Sequence, residues 1–441
     1  MNSAEFLDQF SRVTSRLTQW FPRGGAKFLD GLLYPLLGND FTVDFFDRHN
    51  RENLESIGNF QRILVVSDIH IGDAVLLQTA VSALRDFFPK AEIDYLVKKS
   101  MENLLQGNPD ISELWPAFTG GQFPNEKDIL TVQALAPDYD AVFNLCPFLA
   151  APHFPEPKKA FHFTSRAPFI IRNERNPSMP GHLAYQAHKF IYDMLSPHFA
   201  IQRARPFEGP QIFLAHRAVA EAHQFFRQKA PKGLGPVVFL NPDTASPYTR
   251  IPFGEQAKLL KRLVEMPFNG DLGGICRVLL GEGHTDKGIG ERLWFSLPLW
   301  LRDRVTLVPA SMELDTYSAL IDWSDVFISG DTGPLHIAAA RKHDRSKNTF
   351  LRNRTSVFSV FGGTPPRFSG YDSELPGFLE SSQDAESRSY QSISRCRNIT
   401  CLHKMARECD ASGCFQELDL DKIFSDIRYS LTKAELLQAG V

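Results

Sequence analysis

The chain has 441 residues, enough for two or three domains, and its 43% hydrophobic and 22% charged content is that of an ordinary soluble globular protein. A formal net charge of −3 argues against wholesale binding to nucleic acid, which needs a strongly basic domain. No apolar run reaches the ~18 residues of a membrane-spanning helix, and the acidic start MNSAEFLDQF is no signal peptide, so the expected compartment is the cytoplasm.

Residues 1–60 read as a helical N-terminal extension, with Phe6, Phe10, Val13, Leu17 and Trp20 at helical spacing. That face either packs on the body of the protein or touches a membrane surface. From 61 to about 215 strands and helices alternate. RILVVS, AEIDYLV and YDAVFNLC are strand-like, and a helical run over 74–88 separates the first two. Such alternation predicts a parallel sheet covered by helices. The Pro-rich, basic stretch PHFPEPKKAFHFTSRAPF at 152–169 reads as loop.

A helix near 215–230 and a turn in KAPKGLGP lead into a second alternating unit. Its strands are VVFLNP, CRVLLGEG, RVTLVPA, DVFISG and TSVFSVFGG, with helices over 254–266 and 313–323. The fold class is therefore α/β, with two Rossmann-like domains, at 61–215 and 236–370, facing across a cleft. Residues 371–441 hold a Cys-rich segment and a closing helix, whose Leu420, Ile423, Phe424, Ile427 and Leu431 share one face.

Two strand-to-helix turns draw attention. In SDIHIGDAVLL, Asp73 follows Gly72 where a strand becomes a helix, a place that normally suits anions. The carboxylate either caps the helix or keeps its charge for work in a cleft. In DVFISGDTGPLHIAAA, an apolar strand ends in Gly330-Asp331-Thr332-Gly333, and Pro334 opens a helix with His336 one turn along. Small residues there let a ligand approach the backbone, whose free N–H groups can hold a phosphate, although Asp331 or Thr332 could equally be an N-cap. Neither segment matches the Gly-x-Gly-x-x-Gly fingerprint or a P-loop. Gly281 and Glu282 end another strand at the edge where open α/β sheets bind ligands, with Glu282 suited to ribose hydroxyls or to a simple turn. Arg250, also after a strand, is either a bidentate phosphate partner or a solvated loop residue.

Taken together, ILVVSDIHIGDAVLLQTAVSALRDFFPKAEIDYLV, TRIPFGEQAKLLKRL, ISGDTGPLHIAAA and VFGGTPPRFSGY resemble glycosyltransferase family 9, the family of the ADP-heptose:lipopolysaccharide heptosyltransferases. The motifs keep the family order and cover roughly residues 61–430. The resemblance implies a GT-B architecture, with an acceptor-binding first domain and a nucleotide-sugar-binding second domain. It implies inverting transfer without a metal ion or other cofactor, from a nucleotide-sugar donor such as ADP-heptose to a glycolipid acceptor at the inner face of the membrane. By position Asp73 stands for the catalytic base, with His70 and Gly72 on the acceptor side. Asp331, Thr332, Gly333 and His336 stand for the donor contacts, joined by Arg250, Gly281 and Glu282. An aspartate with an ordinary pKa of about 3.9 is a weak ground-state base that gains strength as the attacking hydroxyl acidifies.

The chain departs from the family pattern in three places. Ser67 replaces a usual basic residue, Thr249-Arg250-Ile251-Pro252 replaces Lys-Arg-Trp-Pro, and 341–355 is longer and more basic than the usual turn. A protein acceptor, a nucleotide-sugar epimerase of the same architecture and a non-catalytic sugar-nucleotide-binding protein remain open at this level. Cys396, Cys401, Cys409 and Cys414 lie close together near His403, and four thiols can hold a structural zinc, yet the tight Cys-x2-Cys knuckle is missing.

Overall fold

The computed structural model describes residues 50, 52–54, 59–163, 182–268, 274–343, 355–371, 387–392 and 415–438, apart from 68–69, 120–123, 147–148, 150–153, 156–158, 203–204, 206, 208, 231–234, 247–248, 363–365 and 416–417. Most of the expected N-terminal extension, the four-cysteine cluster and most of the basic stretch after residue 343 lie outside these residues.

Two parallel sheets form the body. The first is built from β1 (Arg62–Val66), β2 (Glu92–Lys98), β3 (Glu113–Phe118), β4 (Ala141–Asn144) and β5 (Ala160–His162), in the order β3-β2-β1-β4-β5. The second begins with β6 (Val237–Asn241) and, after a two-stranded ribbon of β7 (Pro267–Phe268) and β8 (Gly274–Ile275), continues with β9 (Arg277–Gly281), β10 (Val305–Val308), β11 (Val326–Gly330), β12 (Ser356–Phe361) and β13 (Ser387–Gln391). Its order is β10-β9-β6-β11-β12-β13. Each order reverses beside its own first strand, and open α/β sheets form their ligand crevice at that reversal. Two Rossmann-like units in this arrangement make the α/β class expected from the pattern and the GT-B architecture that the resemblance implied.

The central strands β1, β6, β11 and β12 are buried on both faces, which is why they read as unbroken apolar runs. The edges read differently. β3 carries Pro116, tolerated because an edge strand need not donate every N–H. β5 falls inside the stretch expected to be loop; Phe161 drives it in by stacking on Phe143, ring centroids 5.1 Å apart. β13 is Ser-Arg-Ser-Tyr-Gln and has no apolar run at all.

The helical run expected over 74–88 is two helices, α1 (Ile71–Leu77) and α2 (Thr79–Phe87), joined at Gln78. The buried Gln78 turns its amide onto the Val75 carbonyl at 3.0 Å and accepts from Asn108 at 2.8 Å, so its side chain is tied at the joint. Further along come α3 (Glu102–Leu105), α4 (Glu126–Leu135), α5 (Leu183–Leu195), α6 (His216–Lys229), α7 (Phe253–Glu265), α8 (Ile289–Ser296), α9 (Leu314–Ile321), α10 (Gly333–His343), α11 (Pro366–Ser369) and α12 (Leu420–Gln438). α12 buries Ile423, Ile427 and Leu431 against the apolar side of α7, and Arg262 of α7 binds Asp421 at 2.7 Å.

The sheets share one hydrophobic cluster, running from Ile63 and Val65 through Leu104 and Ile212 to Phe239, Leu320, Phe327 and Ile337. Arg341 locks this shared face. It belongs to α10, its side chain is only 2% exposed, and its Nε and Nη2 reach Asp322 Oδ2 at 3.1 and 2.8 Å. Its Nη1 donates to the carbonyl of Ile212, on the segment that joins the two units. Arg341 opens the basic 341–355 run in the sequence, yet its charge is matched inside the protein. Truncating one partner of a buried ion pair strands the other charge. Arg341→Ala should therefore cost about 3–5 kcal/mol of stability, read as a lower urea midpoint, whereas a loss under ~1 kcal/mol would mean Asp322 finds solvent.

Candidate functional site

The carboxyl edges of the two sheets bring together the starts of α1 and α10. Gly72 is the closest point: a Cβ there would lie 2.6 Å from His336 Cδ2 and 3.3 Å from His336 Nε2. Reciprocally, a Cβ on Gly333 would lie 3.1 Å from Ile71 Cγ2. Only residues without side chains let two helix starts approach this closely, so the glycines in GD and TGP are needed for the junction itself. Asp73, His70, Gly72, Gly333 and His336, read from separate motifs, are thus neighbours in space.

On the first unit, His70 stands at the N-cap of α1 without a side-chain cap bond, and its Nδ1 lies 3.9 Å from Asp73 Oδ2. The Asp73 side chain is 42% exposed, so a solvent-borne hydroxyl can reach it. Ser67 is buried; Tyr95 Oη sits 2.9 Å from its Oγ and 3.0 Å from the Ala74 carbonyl. Tyr95 occupies the space a long side chain at 67 would need.

On the second unit, Gly330, Asp331 and Thr332 pass from β11 into α10. A Cβ on Gly330 would stand 2.2 Å from the Thr249 carbonyl, so the β6–α7 loop lies directly on this turn. His336 is buried, with its side chain 6% exposed; its Nδ1 is 2.9 Å from Tyr371 Oη and its Nε2 is 3.8 Å from Asp331 Oδ1. Ser369 Oγ donates to Asp331 Oδ1 at 3.2 Å. His182, the N-cap of α5 on the first unit, accepts from Ala184 N at 3.3 Å and packs its ring 5.0 Å from that of Tyr371. Burial holds His336 at about 3. Burial, then the nearby His336, holds His182 at about 3 against the opposing Ser369 backbone. Both rings are neutral at neutral pH.

Gly281 ends β9 and Glu282 follows it, with β6 standing between this strand and β11. Glu282 Oε2 accepts from Ala310 N at 3.2 Å, which ties it to the loop after β10. Arg250 points its fork inward: Nη2 reaches Asp243 Oδ1 at 2.8 Å and the Thr244 carbonyl at 3.0 Å, and Nη1 reaches Asp286 Oδ2 at 3.0 Å. Asp243 also accepts from Thr285 N at 2.6 Å. Arg250 therefore braces the loops after β6 and β9, its charge facing two carboxylates. Tyr371, Ser369, His182 and the Asn241–Tyr317 pair (3.0 Å) were not among the expected site residues, although Ser369 and Tyr371 stand in the segment VFGGTPPRFSGY. Among the described residues no group of three or more His, Cys, Asp or Glu side chains is arranged to hold a metal ion. No described helix is long and apolar enough to cross a membrane.

No protein-family model matches the chain, and no curated protein matches it in sequence. Solved structures do. The E. coli ADP-heptose lipopolysaccharide heptosyltransferase II is 16% identical over 85% of this chain and 99% of its own, with a TM-score of 0.56. A glycosyl transferase family 9 structure from Veillonella parvula is 15% identical over 84% and 97%, with a TM-score of 0.59. The fold is theirs. The likeness spans almost all of each neighbour's length, so the chain holds both halves of their two-unit fold.

Two outcomes test the junction. Gly72→Ala should lose about 1–3 kcal/mol of stability through the forced contact with His336, whereas Gly254→Ala, facing open space on α7, should lose none. Equal effects in a denaturation series would show that the junction is loose. The histidines set an acid limb. Their folded values are lowered to about 3 from 6.5, so between pH 6.5 and 3 the unfolded chain binds more protons. Their contribution is fully present above pH 6.5 and is lost as pH falls, at up to about 1.4 kcal/mol per pH unit for each ring. His182→Asn keeps an N-cap acceptor and should make that decline shallower between pH 6.5 and 5; an unchanged slope would assign the limb to other groups.

Proposed function

We propose that the protein is an inverting glycosyltransferase that moves a heptose from ADP-heptose to a hydroxyl of a lipopolysaccharide-core-type acceptor, without a metal ion. The observation that carries this reading is the contact of the Gly72–Asp73 turn with the Gly333–His336 turn at the carboxyl edges of two Rossmann-like units. Such a crevice suits a reaction between two molecules, one brought by each unit. The motif resemblance and the shared scaffold of the E. coli heptosyltransferase II support the choice of donor.

In this mechanism the donor diphosphate lies at the start of α10, where the N–H groups of Thr332 and Gly333 and the helix dipole favour negative charge. In this reading Glu282 accepts from a ribose hydroxyl of the donor. Arg250 acts through the loops it braces rather than by direct contact. The acceptor hydroxyl enters beside Asp73 and attacks the anomeric carbon from the face opposite the diphosphate. The new C–O bond forms as the bond to the diphosphate breaks, so the configuration inverts. Asp73 takes the hydroxyl proton as that oxygen turns acidic, and the helix-start N–H groups stabilise the charge gathering on the leaving nucleotide. The enzyme would work in the cytoplasm, peripherally at the inner face of the membrane, where a lipid-linked acceptor is presented.

Calorimetry with ADP, GDP, UDP and CDP should show a clear preference for ADP. Asp73→Asn should keep ADP affinity within about twofold and lower transfer by roughly 10²–10⁴-fold, the usual weight of a general base. Preference for another nucleotide would remove the heptose assignment while keeping the reaction class. Full activity in Asp73→Asn would remove the mechanism.

A further inference from the structure

We infer that Tyr371 is a positioning residue: its hydroxyl donates to His336 Nδ1 and holds the imidazole in the tautomer whose Nε2–H is directed between Gly72 and Asp331. The distances define this arrangement. Tyr371 Oη is 2.9 Å from Nδ1, on the side of the ring away from the junction. Nε2 lies 3.8 Å from Asp331 Oδ1 and 3.3 Å from the place a Gly72 Cβ would occupy.

Chemistry selects the tautomer. A neutral imidazole has one N–H and one lone pair. Were the proton on Nδ1, the Nε2 lone pair would face the Asp331 carboxylate, acceptor against acceptor. With the proton on Nε2, the tyrosine supplies the donor Nδ1 needs, and the N–H faces an oxygen. Burial and the Asp331 charge push the Tyr371 ionisation upward, so its hydroxyl keeps the proton it donates.

Tyr371 is itself held in place. Its backbone N–H donates to Ser389 Oγ at 3.0 Å, and that oxygen lies 2.9 Å from Ser359 Oγ, so β12 and β13 anchor the residue. The ring of His182 closes the other side. Two residues earlier, Ser369 fixes Asp331. One short segment, 369–371, thereby sets both polar side chains of the α10 turn. Gly370 between them has no room for a side chain, since a Cβ would meet the Pro366 carbonyl at 2.6 Å and Ser389 Oγ at 2.7 Å.

The catalytic consequence rests on the proposed transferase reading: a pre-aimed neutral N–H can bond a diphosphate or sugar oxygen without a second cation. It would be a donor on the leaving side, opposite Asp73.

The experiment is nitrogen NMR of the full chain with ¹⁵N-labelled histidine, joined to kinetics of Tyr371→Phe, which retains the ring that packs on His182. Wild type should show His336 protonated on Nε2 with a hydrogen-bonded, unprotonated Nδ1. Tyr371→Phe should move the Nδ1 resonance to a value without a hydrogen bond. It should also lower kcat about tenfold while the donor KM stays within about twofold. In a His336→Gln background, adding Tyr371→Phe should change nothing further. A proton on Nδ1 in wild type, an unmoved Nδ1 signal in Tyr371→Phe, or an equal loss in the His336→Gln background would each overturn the assignment. If wild type transfers no heptose while the tautomer and its Tyr371 dependence hold, the transferase reading fails and the positioning role stands.

Discussion

Everything at the cleft depends on the approach of two helix starts, made through glycine. Gly72 lies against the edge of His336 and Gly333 against Ile71, with no Cβ between the backbones. That contact fixes how the carboxyl edges of the two sheets meet. It also accounts for the neutral histidine: a proton on His336 would be buried at the positive end of the 11-residue α10, where both desolvation and the dipole oppose it. Asp331 Oδ1, at 3.8 Å, is too far to form the short ion pair that would offset those costs.

A junction this tight needs a stiff base. The shared apolar cluster and the Arg341 lock provide it in the middle of the molecule. In the first unit, Arg205 collects Asp86 at 2.6 Å and Asp110 at 3.0 Å, with Tyr192 adding a 2.7 Å bond to Asp86. These groups tie α2 and α5 together, and α5 carries His182 to the junction at its N-cap. In the second unit, Asp243 and Arg250 brace the β6 and β9 loops in the same way. These buried and half-buried charges are thus matched to one another, while Asp73, Asp331 and His336 stand on helix starts and strand ends.

The sequence pattern revealed what local periodicity encodes. β1, β2, β4, β6, β9, β10, β11 and β12 carry apolar runs, and α7 and α9 carry clear helical spacing, so the α/β alternation was readable. Of the four edge strands only β10 was. β3 contains a proline, β5 sits among lysines and prolines, and β13 is polar, because an edge has fewer neighbours to pack against and less need of apolar residues. The same division applies to the site. Asp73 and Asp331–His336 stand in short strand-turn-helix segments whose chemistry is local. Tyr371 reaches His336 across 35 residues and Ser369 reaches Asp331 across 38, so only the fold could reveal those pairs. Arg341 shows the opposite failure: a residue in a basic stretch looks like surface, and only packing reveals the buried Asp322 beside it.

Two polar side chains flank the junction, and their exposures suit different tasks. Asp73, 42% exposed, is open to water and to an incoming group. His336, 6% exposed and held neutral, is a poor proton carrier and a good fixed donor. Exchanging their environments would reverse their properties: burial would make the carboxylate reluctant to ionise, and solvent would let the imidazole titrate near neutrality. The close glycine contact keeps those environments apart across a single backbone thickness, with Asp73 outside and His336 inside. A substitution at Gly72 therefore acts on both, because pushing the helix starts apart admits water to the imidazole and moves the carboxylate away from the α10 turn.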